Sequence, residues 1–169
     1  MAPVVRASGQ RRIEIHHDLI PQGAGFIERA AVRAVIRAGT RLLLVHSRVG
    51  GDYKFPGGGV EVGEEPTAAL VREVLEECGR SVTHVGAPEL SVIETRSARE
   101  PGWVLRSRSR YHPCSVDASV GALALDDYER ELGFGPAWVD LDEAIAANES
   151  VLGGGAAQSW VYRETHVLR

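Results

Sequence analysis

The segment from Pro66 to Gly79 constrains the fold more than any other part of the sequence, because it marks both ends of a helix. Pro66 suits the first turn, where its missing N–H would have no partner in any case. Gly79 suits the helix end, where a left-handed conformation costs glycine little. At about 100° per residue, the apolar side chains fall on one arc and the carboxylates opposite. The sequence therefore predicts a helix over residues 66–78 with one face in a core.

Three glutamates, Glu73, Glu76 and Glu77, share the polar face of this helix at positions i, i+3 and i+4. Like charges at such spacing destabilise a bare helix by a few tenths of a kcal/mol per pair. A bound divalent cation would reverse the sign of that interaction, since Mg²⁺ and Mn²⁺ prefer hard oxygen ligands. The helix alone nevertheless favours the alternative of a solvated charged face, because such faces are so frequent.

A glycine-rich loop precedes the helix and contains Gly57, Gly58 and Gly59. Glycine permits a sharp turn, and it also lets the backbone approach a phosphate or a metal ion closely. A turn alone needs one or two glycines, so three in succession favour close approach. Arg48 and Lys54 flank the loop and are candidates for phosphate contact. Glu61 is equally compatible with a ligand and with a solvated carboxylate.

The loop and helix together resemble the signature of the Nudix family of diphosphate hydrolases, G-x5-E-x7-R-E-U-x-E-E-x-G-U, where U is a bulky aliphatic residue. The matching positions are Gly58, Glu64, Arg72, Glu73, Val74, Glu76, Glu77 and Gly79. Arg80 departs from the pattern, which has an aliphatic residue there. Seven fixed identities at this spacing arise by chance at roughly 10⁻⁶ per chain of this length. The resemblance is therefore specific, and it loosely extends over residues 30–147.

The resemblance implies an α/β (α+β) fold, a Nudix-like α/β/α sandwich with a mixed central sheet. It also implies a catalytic set that comprises Glu64, Arg72, Glu73, Glu76 and Glu77. Within that set the three helix glutamates, together with Gly58, would hold Mg²⁺ or Mn²⁺, and Arg72 would pair with Glu64. The predicted substrate-binding residues are Gly57, Gly58, Gly59, Arg48 and Lys54.

The general base stays open at this stage. The segment that carries the signature, Gly58 to Arg80, is called the box from here on. Glu76 or Glu77 of the box could accept the proton from water. In this family the base can also come from a loop outside the box. The outside candidates are Asp126, Asp127, Glu129, Glu131 and His112. Each of these five is more often a solvated charge than a catalytic group.

The implied activity is the Mg²⁺- or Mn²⁺-dependent hydrolysis of the diphosphate linkage of a nucleoside diphosphate derivative. Nucleotide sugars, ADP-ribose-like compounds, dinucleoside polyphosphates and nucleoside triphosphates are all included. The proline and tyrosine typical of ADP-ribose and dinucleoside-polyphosphate enzymes are replaced by Arg96 and Ala98, so the substrate stays open. A non-catalytic nucleotide-sensing module and a metal-binding scaffold are the alternatives. The intact carboxylate set favours the enzyme.

Residues 96–110 contain a second charged pattern. Arg106, Arg108 and Arg110 alternate with serines, so on a strand they would share one face. Such a row could contact substrate phosphates, with Trp103 or Tyr111 stacking on a base. An edge strand that uses charge to block aggregation is the equally weighted alternative.

Further elements follow from the rest of the chain. Residues 11–20 read as an edge strand, residues 30–36 and 41–47 as a hairpin, and residues 156–168 as the last of three helices. We expect a single domain over 1–169, with a core at about 28–150 and the N-terminal strand and C-terminal helix as extensions.

The composition of the chain limits the classes of protein to which it can belong. Nineteen basic and 23 acidic residues give a net charge of −4, which does not indicate a general nucleic-acid binder. Two cysteines do not make a disulfide framework, and both are expected to be reduced. The chain starts without a signal-peptide-like apolar run and has no stretch of ~20 apolar residues, so we expect a cytoplasmic protein without a membrane partner. Family members often pair, so a homodimer is compatible with the sequence.

Overall fold

The computed structural model describes residues 4–8, 11–155 and 157–169. The strands are β1 (Val4–Ser8), β2 (Arg12–His16), β3 (Gly25–Ala38), β4 (Arg41–Ser47), β5 (Tyr53–Lys54), β6 (Val82–Val85), β7 (Leu90–Ser97), β8 (Trp103–Val116) and β9 (Phe134–Asp140). The helices are α1 (Pro66–Cys78), α2 (Asp127–Glu131), α3 (Leu141–Gly153) and α4 (Ser159–Leu168).

One mixed sheet organises the molecule in the order β1-β2-β7-β8-β3-β4-β5, with β6 beside β8 and β9 beside β4. The two longest strands, β3 and β8, run parallel from the Gly25–Trp103 pair to the Ile36–Cys114 pair. β2 is parallel to β7, and the other strand pairs are antiparallel. β3 meets β4 only at its last two residues, so the rest of that edge of β3 is open to another partner.

Two hydrophobic clusters cover opposite faces of this sheet. On one face, Val32 and Ile36 of β3 pack with Leu70 and Val74 of α1. On the other face, Leu44 packs with residues of α3 and α4. Alternate side chains of β4 enter alternate clusters, and residues 42–45 are all buried, as their apolar run indicates. The result is the predicted α/β/α sandwich with a mixed sheet.

Helix α1 has the predicted bounds and ends at Gly79, whose φ of 61° is left-handed and whose N–H donates to the Leu75 carbonyl at 2.9 Å. The prediction that the apolar side chains of α1 face the core and its carboxylates lie opposite was partly wrong. Val71 is 39% exposed and Leu75 47% exposed, whereas Glu77 is only 1% exposed. The helix is rotated so that Leu70 faces the sheet and Glu77 turns toward the glycine loop.

Several other sequence expectations need correction. Residues 12–16 are not an edge strand, because β1 pairs outside β2. β3 is longer than the predicted 30–36. Four helices are present in the described part of the chain, since a short α2 precedes β9 and its capping box uses Asp126 and Glu129. β8 is not an edge strand either, because it lies between β3 and β7.

The two cysteines are free and buried, as expected. Burial raises the pKa of the Cys114 thiol to about 11. No helix of the described residues combines the length and the apolar character that crossing a membrane requires.

Helix α4 is anchored by a buried charge network. Arg163 donates from Nε and Nη2 to Glu164 Oε1 at 2.9 and 2.7 Å, and from Nη1 to Glu94 Oε2 at 2.5 Å. Glu164 Oε2 accepts a long hydrogen bond from the hydroxyl of Tyr111 at 3.5 Å. Burial alone would raise the pKa of Glu94, but Arg163 and His17 lower it to about 2 overall. The network therefore fixes α4 against β7 and β8.

The Glu94 carboxylate makes the stability of the fold depend on pH. Its folded pKa of about 2 lies below its ordinary value of 4.5, so its contribution is complete above pH 4.5 and is lost as the pH falls toward 2. We expect Glu94→Gln to lower the free energy of unfolding by about 3 kcal/mol at pH 7. The difference from wild type should be nearly unchanged when urea unfolding is repeated at pH 5, and it should shrink at pH 4 and again at pH 3.

Glu149→Gln is the matched control, because Glu149 pairs with Arg169 at an exposed position. An exposed pair contributes only about 0–1 kcal/mol, so this variant should stay close to wild type at each pH. A difference between Glu94→Gln and wild type that is the same at pH 7 and pH 3 would contradict the assignment of this ion pair.

Candidate active site

The glycine loop is held as an extra strand along the open edge of β3. Val32 N donates to the Gly58 carbonyl at 3.0 Å, Ala34 N to the Pro56 carbonyl at 2.8 Å, and Val60 N to the Ala30 carbonyl at 3.0 Å. The loop thus fills the edge that β4 leaves unpaired. Gly57 has a φ of 135°, and a Cβ there would collide with the backbone of Val32. Only glycine fits this position without strain.

Glu77 ties the same loop to helix α1. Its Oε2 accepts from the Gly57 N–H at 2.7 Å, and its Oε1 accepts from Lys54 Nζ at 2.7 Å. Lys54 Nζ also lies 4.3 Å from the centre of the Phe134 ring. A buried carboxylate with two charge-assisted or backbone donors is well satisfied. Glu77 therefore positions the loop in addition to adding negative charge.

Arg72 is the centre of a carboxylate cluster. Its Nε and Nη2 each donate to Glu64 at 3.0 Å, which is the two-bond fork that its geometry allows. Its Nη1 donates to Glu73 at 2.9 Å and to Glu76 at 3.2 Å. These contacts raise the pKa of Arg72, and the hydrogen bonds from Arg72 lower the pKa of Glu64. The structure thus brings three of the predicted catalytic glutamates around the guanidinium of Arg72.

Glu73 lies directly against the loop. A Cβ at Gly58 would collide with the Glu73 carboxylate, so the glycine leaves the space that this side chain occupies. Burial raises the pKa of Glu73, whereas Arg72 lowers it by a smaller amount. A partly buried carboxylate whose charge is costly gains from a nearby cation.

The donor chemistry of this cluster fits a hard divalent cation, because Glu73, Glu76 and Glu77 offer carboxylate oxygens from one turn of helix beside a loop backbone. No three His, Cys, Asp or Glu side chains of the described residues are grouped so that they could hold a metal ion. The reason is visible in the contacts: Arg72 and Lys54 hold the oxygens of these glutamates. A metal ion bound here would compete with those two side chains.

The remaining predicted residues lie at varied distances from the cluster. Arg48 contacts the Gly133 carbonyl at 3.3 Å and has no contact with the box, so its role stays a prediction. Glu61 is exposed; its backbone N–H donates to the Glu64 carboxylate at 3.0 Å and its carbonyl accepts from the Glu64 N–H at 3.1 Å. Arg80, the departure from the signature, donates to loop carbonyls that include Ala118 at 2.7 Å. It therefore fixes residues 117–119 and removes no carboxylate.

Of the five candidate bases outside the box, the structure brings one to the cluster. Glu129 Oε1 lies 3.8 Å from Lys54 Nζ, and burial, followed by the nearby Glu77, raises the pKa of Glu129. Asp126 and Asp127 belong to the exposed start of α2, and Glu131 is exposed as well. His112 is buried and contacts the Gly86 carbonyl at 3.0 Å.

A cleft of about 470 Å³ adjoins the loop, and sequence reasoning missed it. Its charged lining comes from separate elements: Arg29, Arg33, Glu94, Arg96, Arg99 and Arg163. By contrast, the predicted row on β8 faces away from the cleft. Leu105 and Ser107 of β8 line the cleft, so the alternating residues Arg106, Arg108 and Arg110 lie on the other face of β8. On that face Arg106 pairs with Glu28. Arg29 and Arg33 lie four residues apart on one face of β3, and Arg96 and Arg99 belong to the charged segment 96–110 that the sequence singles out.

The chain was compared with protein families and curated proteins. A family model described as the NUDIX domain matches residues 27–155. Diphosphoinositol polyphosphate phosphohydrolase 3-alpha of Mus musculus is 30% identical over 125 residues, which are 72% of this chain and 68% of that protein. The 3-beta protein of the same organism gives the same values.

Solved structures were compared in the same way. The crystal structure of a MutT NUDIX hydrolase from Burkholderia pseudomallei aligns with a TM-score of 0.50 at 20% identity, over 69% of this chain and 85% of that one. This likeness concerns the fold. A NUDIX hydrolase from Nitrosomonas europaea aligns with a TM-score of 0.49 at 26% identity, over 81% and 85% of the two chains.

Proposed function

Because this chain belongs to the Nudix family and is a pyrophosphohydrolase, we propose that it hydrolyses the diphosphate linkage of nucleoside diphosphate derivatives with Mg²⁺ or Mn²⁺. Water attacks one phosphorus of the P–O–P linkage, and the bond between that phosphorus and the bridging oxygen breaks. Two phosphate esters are released. The observation that carries the proposal is the cluster of Glu64, Glu73 and Glu76 around Arg72, beside a glycine loop held by Glu77.

Electrostatics explains why such a cluster needs a cation. The substrate diphosphate and the carboxylates are both negative, and they repel each other in a shared site. A bound divalent ion supplies charge against the phosphate oxygens and makes water a stronger nucleophile near neutral pH. Glu73, Glu76 and Glu77 would hold it, with the backbone of Gly58 adjacent. Hard oxygen donors of this kind suit Mg²⁺ and Mn²⁺.

The other residues act through position. Arg72 holds Glu64 in a two-bond fork, and its positive charge reduces the repulsion between Glu73 and Glu76, which share its Nη1. Lys54 and the Gly57 N–H fix Glu77, so the loop and the helix move as one unit. A loop fixed in this way presents its backbone to a phosphate without further ordering on binding. Lys54 also offers positive charge near the loop, which supports its predicted role toward substrate phosphate.

Proton removal from the attacking water needs a carboxylate at the cluster. Glu76 and Glu77 of the box and Glu129 of α2 are the three candidates that the contacts support. Glu77 already accepts two hydrogen bonds, so it has less capacity than the others. Of the four signature glutamates, Glu76 has the most exposed side chain, at 38%, and that side chain accepts only from Arg72 among the described residues.

A hydrolysis screen with metal control tests the proposal. We expect no turnover in EDTA and turnover after addition of Mg²⁺ or Mn²⁺, with nucleotide sugars, ADP-ribose and dinucleoside polyphosphates as substrates. The mouse relatives are named for diphosphoinositol polyphosphates, so a diphosphorylated inositol polyphosphate is a further arm of the screen. Turnover in EDTA equal to that in Mg²⁺ would contradict the metal dependence.

A folded protein that hydrolyses none of these compounds with either metal would overturn the proposed substrate class. Calorimetry then separates the alternative of a nucleotide-sensing module, which would bind a nucleotide without cleaving it. The single-domain assignment for residues 1–169 belongs to the same proposal. It is supported by the packing of Ile15 of β2 and Leu168 of α4 in one cluster.

A further inference from the structure

The arginine cleft lies between the sheet and the first turn of α4, and its positive charge is only partly compensated. Arg163 forms ion pairs with Glu94 and Glu164. The other four arginines that line the cleft form no ion pair with a carboxylate of the described residues. They are Arg29, Arg33, Arg96 and Arg99. Four guanidinium groups around one cleft therefore lack an ion-pair partner in the described part of the chain.

The arginines of the cleft repel each other, and the lowered pKa of Arg29 reflects this repulsion. Burial lowers the pKa of Arg29, and the nearby Arg33, Arg96 and Arg163 lower it further. Arg33 adds a second sign of incompleteness, because its buried Nε has no hydrogen-bond partner among the described residues. Buried donors without a partner destabilise a fold, and they are rare in native structures. A bound anion would relieve the repulsion among these arginines.

The cleft begins where the glycine loop ends. Arg33 Nη1 donates to the Gly57 carbonyl, and a Cβ at Gly59 would lie 3.1 Å from Arg29 Nη2. A diphosphate held at the loop would therefore have the cleft beside it. The group that enters the cleft is the part of the substrate next to the linkage that is cleaved.

The aromatic residues at the cleft, Trp160 and Tyr128, are packed edge-to-face. Trp160 donates from its indole N–H to Asp52 at 2.8 Å. Its ring lies at right angles to the rings of Tyr128 and Phe134, with centroids 6.2 and 6.4 Å away. Charge, not stacking, dominates the lining of this cleft.

We propose that the cleft binds one or more phosphomonoester groups that the substrate carries in addition to the diphosphate linkage. This inference rests on the proposed function. The two charges of an internal diphosphate are neutralised by one divalent cation at the carboxylate cluster. The four guanidinium groups in the cleft require additional anionic charge from the ligand. A phosphomonoester supplies a charge of about −1.5 to −2 near neutral pH. Arginine suits it because its planar fork binds phosphate oxygens in pairs.

Matched pairs of diphosphates test the inference. Coenzyme A differs from dephospho-coenzyme A by one phosphomonoester on the ribose, and NADPH differs from NADH in the same way. We expect kcat/KM of the wild-type enzyme to be at least about tenfold higher for the phosphorylated member of each pair. Equal values within both pairs would overturn the inference and leave the proposed function intact.

If the enzyme cleaves neither pair of compounds, that result counts against the proposed function alone. The inference about the cleft is then tested by a binding measurement. Calorimetry with adenosine 3′,5′-bisphosphate and adenosine 5′-monophosphate compares one extra phosphomonoester without any diphosphate. Inositol hexakisphosphate is the cyclitol arm, and tighter binding of it than of the bisphosphate would identify a phosphorylated cyclitol as the source. Failure of both polyphosphates to bind more tightly than the monophosphate would overturn the inference.

Variants assign the effect to the cleft. Arg96→Gln and Arg99→Gln alter exposed side chains, so we expect both variants to fold. Each should bring the ratio of kcat/KM within a pair, or the ratio of binding constants, toward one. Arg108→Gln is the matched control, because Arg108 is exposed on the opposite face of β8. An equal fall of the ratio in Arg108→Gln would contradict the location and indicate a general charge effect.

Discussion

Glu76→Gln should lower kcat by roughly 10²–10³-fold while the fold is retained. A metal ion at the cluster stabilises developing charge by several kcal/mol, and each 1.36 kcal/mol corresponds to about a tenfold change in rate. Glu76 is well suited to this test, because its side chain is 38% exposed and has only Arg72 as a hydrogen-bond partner among the described residues. Turnover should be measured over a range of Mg²⁺ concentrations, so that weaker metal binding and slower chemistry are separated.

Glu65→Gln is the matched control for that variant. Glu65 immediately precedes α1, is exposed and makes no capping hydrogen bond, yet it carries the same charge in the same segment. We expect its kcat to stay close to wild type. If Glu76→Gln and Glu65→Gln are equally active, the carboxylate face of α1 does not act in catalysis. Glu77→Gln is a less clear test, because Glu77 also holds Gly57 and Lys54.

Arg163→Met should lower the free energy of unfolding by about 3–5 kcal/mol. The change leaves the carboxylates of Glu94 and Glu164 buried without their common partner, and an uncompensated buried charge is strongly destabilising. Arg163 is 8% exposed and Glu164 is fully buried, so water cannot replace the lost contacts. Urea unfolding at pH 7 measures the effect.

Arg169→Met is the control for Arg163→Met, since Arg169 pairs with Glu149 at the exposed end of the same helix. It should cost less than about 1 kcal/mol. The triple variant Arg163→Met, Glu94→Gln, Glu164→Gln should recover part of the loss, because it removes the charges together with their partner. Equal stability of Arg163→Met and Arg169→Met would show that the buried network contributes little.

The sequence predicts α1 and the glycine loop well because their signals are local. Pro66 and Gly79 mark the helix ends within the chain itself, and the spacing of the glutamates places them on one turn. Burial was less predictable. Leu75 is exposed and Glu77 is buried, since the rotation of the helix depends on its contacts with the loop and the sheet.

The arginine cleft could not be predicted, because its residues come from β3, the end of β7, the following loop and α4. They meet through the pairing of β3 with β8, the pairing of β8 with β7 and the ion pair of Arg163 with Glu94, and these long-range contacts leave no spacing signal. The alternating row from Arg106 was easier to see in the sequence, and it faces away from the cleft. Arg163 and Glu164 likewise resemble an exposed helical pair until the packing of α4 is known.

The most direct test of the account is the affinity of the wild-type protein for a methylene-bridged nucleoside diphosphate, which cannot be hydrolysed at the bridge. Calorimetry should compare the dissociation constant in EDTA with that in saturating Mn²⁺. If a divalent ion links the carboxylates of α1 to the diphosphate, the analogue should bind at least about tenfold more tightly with Mn²⁺, and Glu76→Gln should reduce that gain. The same dissociation constant in EDTA and in Mn²⁺ would contradict it.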